Sequence, residues 1–139
     1  MTTVEKVMLL KGVDLFAQVA ADELAAIARI AKEIRLDAGE AVMREGEHGD
    51  ALFFVVAGTA RVYRAGAPER TVAEIGERGV IGELALLDPG PRAASVEAVG
   101  ELVLLRIDRD AFVENMAAYP EVPVAVIAML ARRVRDAIA

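Results

Sequence analysis

The residues most able to do chemistry lie in one short run, Gly82-Glu83-Leu84-Ala85-Leu86-Leu87-Asp88-Pro89-Gly90-Pro91-Arg92-Ala93-Ala94-Ser95. Gly82 lets backbone N–H groups approach an oxyanion closely. Residues 83–87 are enough for one helical turn, and the first N–H groups of such a turn have no internal acceptor and can face an anion. Arg92 follows nine residues after Glu83. Its planar guanidinium can fork onto two phosphate oxygens. Ionised Glu83 only accepts hydrogen bonds, so it suits a hydroxyl and not a phosphate. The run therefore reads as a cradle for a small anion that also carries a hydroxyl. A Gly-Glu pair or a lone arginine means little by itself; the spaced set is far more specific.

Composition narrows the setting. The 139 residues fit one domain, residues 1–139, with a real core. No apolar run approaches the roughly 20 residues of a membrane span. The start, Met1-Thr2-Thr3-Val4-Glu5-Lys6, leads into only a brief apolar stretch with no small-residue cleavage site. The chain has no cysteine, hence no disulfide and no thiolate metal site. Its single histidine, His48, sits in a polar run, reads as a solvated turn residue and cannot build a multi-histidine metal centre. These absences give the expectation of a cytoplasmic protein with no membrane contact, no metal and no cofactor. The net charge of −6 makes nucleic acid a poor general partner. It also repels an anionic ligand mildly, so a phosphate must be held by local donors, Arg92 and backbone N–H groups.

Helical and strand patterns divide the chain. Val4, Val7 and Met8 recur at helical spacing. A second helix is expected over residues 22–32, with Asp22 as N-cap and Leu24, Ile27, Ala28 and Ala31 as its stripe. Gly12-Val13-Asp14 separates the two, and Leu15-Phe16 can plug the core. From about Ile34, short apolar runs alternate with glycine and proline turns. The expected strands are residues 40–44, 51–57, 59–64, 70–75, 93–99 and 102–107, the pattern of an antiparallel sandwich or barrel. Arg61 and Tyr63 alternate with Ala60 and Val62, as in a half-buried strand. Asp108 is expected to cap a helix running to about Ala118, and Pro120 to open a final helix. On that helix Val124, Ile127, Ala131, Val134 and Ile138 form one apolar stripe, read as core packing, with a dimer face as the other use.

The run from Gly82 to Ser95 resembles the phosphate-binding cassette of the cyclic nucleotide-binding domain family. That family includes catabolite activator proteins, regulatory subunits of protein kinase A and cyclic nucleotide-gated channels. Glycine, glutamate, apolar turn, proline, arginine and small residues occur in the family's order. Ile81 stands where an aromatic residue is common and keeps the apolar character. The resemblance covers nearly the whole chain. It implies a mixed α and β fold, mainly β: an antiparallel β-roll flanked by N-terminal helices and two C-terminal helices, the cassette inserted between two strands.

The resemblance also implies a function. The ligand would be a 3′,5′-cyclic nucleotide, bound without catalysis. Glu83 would take the ribose 2′-OH; Arg92 and the N–H groups of Leu84, Ala85 and Ala93 would take the cyclic phosphate. In the family a hydroxyl just after the arginine can help hold guanine. Ala93 has none, which tilts the choice to cAMP over cGMP. Ser95 either shares the pocket face with Ala93 or bonds nearby backbone. In several members a C-terminal helix closes over the base. By helical angle Arg135, then Arg132, lies nearest the apolar stripe, and either can stack on adenine; alternatively these arginines only complement the helix C-terminus. No effector is visible in the chain, so a protein partner, or a domain now separate, would carry the signal. Oligomeric state stays open. Two rivals remain: a ligand-free domain of this fold used for protein contact, and a small jelly-roll enzyme with Glu83 as acid or base. The enzyme lacks a histidine set, a nucleophilic cysteine and a clear carboxylate pair.

Overall fold

Near Ile34 the chain changes from helical to strand periodicity, and the structure changes there too. The computed structural model describes residues 1–139. It divides into a helical unit, residues 1–30 with 110–139, and a strand unit, residues 31–109.

The strand unit contains β1 (Lys32–Leu36), β2 (Ala41–Met43), β3 (His48–Gly49), β4 (Ala51–Ala57), β5 (Ala60–Tyr63), β6 (Ala73–Ile75), β7 (Val80–Ile81), β8 (Gly90–Pro91), β9 (Ser95–Ala98) and β10 (Leu102–Asp108). One sheet has the order β1-β10-β4-β7, a second β2-β9-β5-β6, and β3 pairs with β8. All pairings are antiparallel. Inward side chains of both four-stranded sheets meet in one core: Phe53, Val55, Ile81, Leu102 and Leu104 from the first, Ala60, Val96 and Ala98 from the second. This is the expected antiparallel β-roll. β4 is apolar on both faces because Leu52 and Phe54, between its core residues, are buried as well. β5 alternates as expected, with Ala60 and Val62 toward the core and the Arg61 guanidinium 4.3 Å from the Tyr63 ring centroid.

The helical unit contains α1 (Thr3–Leu10), α2 (Ala21–Ile30), α3 (Arg109–Ala118, all but its first residue) and α4 (Glu121–Ile138). Thr2 and Glu5 cap α1 reciprocally: Thr2 Oγ1 accepts from the Glu5 N–H at 3.1 Å, and Glu5 accepts from the Thr2 N–H at 3.2 Å. Leu15 and Phe16 are buried as expected, and the Phe16 ring lies 5.8 Å from that of Phe112.

Several expectations need correction. α2 ends at Ile30, and Lys32 opens β1, whose five residues pair in register with β10. Asp22 lies inside the first turn of α2 and does not precede it. Asp108 stands directly before α3, which ends at Ala118 as expected; it is also the last residue of β10, and its carboxylate accepts from Arg106 Nε at 2.5 Å and lies 3.7 Å from Lys32 Nζ. Strand β9 begins at Ser95, because Ala93 and Ala94 form a bend. His48 is exposed as expected but lies in β3, paired with Pro91. On α1, Val4 and Met8 are exposed and Leu10 is the buried residue. The largest correction concerns α4. Its packed face is Val122, Ala125, Val126 and Met129, whereas Val124, Ile127, Val134 and Ile138 are 59–80% exposed.

Candidate anion-binding groove

Ile81 ends β7 opposite Phe53, with its side chain in the core. The next residue, Gly82, has φ 71°, a left-handed conformation that turns the chain abruptly out of the strand. A single 3-10 turn, Glu83–Leu86, follows, and buried Leu86 anchors it. The Ala85 N–H donates to Gly82 O at 3.1 Å, and the Leu87 and Asp88 N–H groups donate to Leu84 O at 3.0 and 2.8 Å. Ala85 therefore uses its N–H inside the turn. Leu84 and Ala93 remain the better backbone donors of the expected three.

The chain then returns through β8, which pairs with β3. This pairing fixes the backbone of Arg92 on both sides: its N–H donates to Glu47 O at 2.8 Å, and its carbonyl accepts from the Gly46 N–H at 2.9 Å. The side chain is fixed too. Arg92 Nη2 donates to Ala51 O at 3.0 Å. The guanidinium passes beside two bare α-carbons. A Cβ on Gly49 would stand 2.5 Å from Arg92 Cδ and Cζ, and a Cβ on Gly82 would overlap Arg92 Nη1. Burial holds the guanidinium below the ordinary arginine value; Asp50 opposes that shift and Arg106 adds to it. The group stays a cation at neutral pH, and it is a partly desolvated one.

Around it lies a groove of about 530 Å³, lined by Met43, Gly82, Leu84, Ala85, Arg92, Ala93 and the segment 88–91. The volume falls in the range of small-molecule sites, about 300–1,000 Å³. Arg92 is the only cation in that lining, and Asp88 the only carboxylate. Arg92 also lines a second hollow of about 170 Å³, with His48, Asp50 and Arg106 among its walls. Of the residues expected from sequence, the groove brings together Gly82, Leu84, Ala85, Arg92 and Ala93. Glu83 opens the turn, half-buried, but does not line the groove. Ser95 is buried, and its Oγ accepts from the Glu45 N–H at 2.9 Å, which is the backbone-bonded alternative. Arg132 and Arg135 lie on α4. Arg132 lines a hollow of about 450 Å³ with Gln18, Glu121, Val124, Ala125 and Ala128, and Arg135 is exposed. Their neighbour Arg133 donates to Asp14 Oδ2 from Nε at 2.9 Å and from Nη2 at 2.6 Å. Gly49, Ala51 and Met43 complete the surroundings of Arg92 and were not singled out from the sequence. The partner of Gly49 in the β3–β8 pair is Gly90, 41 positions away, so no local pattern announced it.

Comparison with known proteins shows the family. The sequence model of the cyclic nucleotide-binding domain matches residues 33–119. A CRP-like cAMP-activated global transcriptional regulator of Mycobacterium tuberculosis is 32% identical over 124 residues, 87% of this chain and 55% of that protein. A cyclic AMP receptor protein of Thermus thermophilus is 34% identical over 130 residues, 92% of this chain and 60% of that protein. Among solved structures, the N-terminal domain of a transcriptional regulator from Streptomyces coelicolor superposes with a TM-score of 0.85 at 32% identity, covering 93% of this chain and 94% of that one. The chain belongs to the cyclic nucleotide-binding domain family. It spans a little over half the length of the two curated relatives. No helix is long and apolar enough to cross a membrane.

Proposed function

We propose that the groove binds the cyclic phosphate of a 3′,5′-cyclic nucleotide, with cAMP preferred over cGMP, and that the chain is a non-catalytic sensor. The observation that carries this reading is Arg92: a partly desolvated guanidinium, held by Ala51 O, is the only cation in the groove. Anion binding there needs little reorganisation of the protein, which is how preorganised sites gain affinity. Leu84 and Ala93 supply backbone donors, and Glu83, which opens the turn just outside the groove's lining, takes the ribose 2′-OH. Ala93 brings no side-chain donor or acceptor for guanine, and both relatives carry cAMP in their names. A role for Arg132 or Arg135 in closing over the base is part of the proposal. So is a ligand-dependent change in the C-terminal helices that passes to a protein effector. The acidic balance, −6, argues against nucleic acid as the direct partner of these residues.

A second reading has one observation in its favour. The exposed apolar side chains of α4, Val124, Ile127, Val134 and Ile138, suit protein contact with or without a ligand. Calorimetric titration with cAMP, cGMP and 5′-AMP, followed by chromatography of the nucleotides, separates the readings. Saturable cAMP binding without turnover supports the sensor. No binding favours the protein-contact domain, and turnover would make the chain an enzyme.

A further inference from the structure

The position of Arg92 depends on room beside two glycines, and they are not equivalent. Gly82 is left-handed, so a side chain there strains the backbone whatever it touches. Gly49 does not use that freedom. It sits in strand β3, paired with Gly90, and is absent from the positive-φ positions. What a Cβ at position 49 would meet is Arg92 itself, at Nε, Cδ and Cζ. Those atoms belong to a flexible side chain. Swinging the guanidinium aside would relieve the overlap without moving the strand pair, and would break its bond to Ala51 O.

We propose that Gly49 is a positioning residue for Arg92: the missing side chain at position 49 sets where the guanidinium stands and thereby how tightly the groove holds an anion. This rests on the reading of the groove as the site of a cyclic phosphate. Position 49 then governs affinity without touching the ligand.

A mutant cycle tests it. Gly49→Ala, Arg92→Ala and the double variant are titrated with cAMP, and folding is checked by melting. Gly49→Ala should weaken cAMP by about 10- to 100-fold, the scale of loss from a misplaced binding group. The double variant should bind within about twofold of Arg92→Ala, since Gly49 acts only through that side chain. A Gly49→Ala protein within threefold of wild type overturns the proposal. So does an equal loss in both backgrounds, which would mark a structural role. A ligand-free readout keeps the two readings apart. The Nε–Hε NMR cross-peak of Arg92, identified by its loss in Arg92→Ala, should move in Gly49→Ala, and an unmoved peak overturns the positioning role. If wild type ignores cAMP, the site reading falls, and the cross-peak still decides the role of Gly49.

Discussion

Replacing Arg92 with alanine removes the one cation of the groove, so it should abolish most of the binding energy directed at the phosphate. Loss of one partner of a buried, hydrogen-bonded charge pair costs about 2–5 kcal/mol. That is roughly a 30-fold to 4,000-fold rise in the Kd for cAMP. Burial strips part of the water from this guanidinium, which strengthens its contact with an anion relative to a solvated arginine. The effect on folding is much smaller. The mutant loses one hydrogen bond, to Ala51 O at 3.0 Å, worth about 1 kcal/mol, and is relieved of a partly desolvated cation. The melting temperature should move by no more than about 4 °C. Arg92→Lys should recover only part of the affinity, because an ammonium cannot make the forked contact. Isothermal titration of the wild type and the two folded variants reads the difference. A change below threefold in folded Arg92→Ala would show that Arg92 does not contact the ligand.

Three further outcomes follow from the same site. Glu83→Ala should weaken cAMP and reduce the preference for cAMP over its 2′-deoxy analogue; if competition assays return the wild-type ratio, another group reads the 2′-OH. Ala93→Thr should narrow the gap between cAMP and cGMP by improving cGMP, and unchanged cGMP affinity would remove position 93 from base selection. Residues 121–139 should exchange amide hydrogens more slowly with saturating cAMP than without it, beyond any slowing in the strands. Equal exchange in both states would place the responsive element elsewhere.

The groove was legible where its parts are local in sequence. A glycine, a helical turn and an arginine fall within eleven residues, 82–92, and each has a recognisable stereochemical role. The other walls were not legible. Gly49 reaches Arg92 through the β3–β8 pair and Ala51 from the start of β4, and strands of two residues such as β3 and β8 are too short to show a period of two. The roll itself could be read from alternating apolar runs and glycine turns, yet β1 was hidden because Ala31 continues the helical stripe while Ile34 and Leu36 begin the strand pattern. On α4 the failure has a plain cause. Both Val122-Ala125-Val126-Met129 and Val124-Ile127-Val134-Ile138 have helical spacing, and only packing reveals that the first is buried and the second exposed.

The claim at the centre is that the cyclic phosphate sits beside Arg92 in the groove between the turn and β8. Its most direct test is an amide and arginine side-chain NMR titration of the wild-type protein with cAMP. The account predicts saturable shifts largest at Gly82, Glu83, Leu84, Ala85, Arg92 and Ala93, with the Arg92 Nε–Hε signal among the most displaced. It predicts only small shifts at the hollow formed by Arg64, Ala67, Arg70, Thr71 and Val72. Largest shifts at Arg64, Ala67, Arg70, Thr71 and Val72, with the Arg92 signal unmoved at saturation, would contradict it.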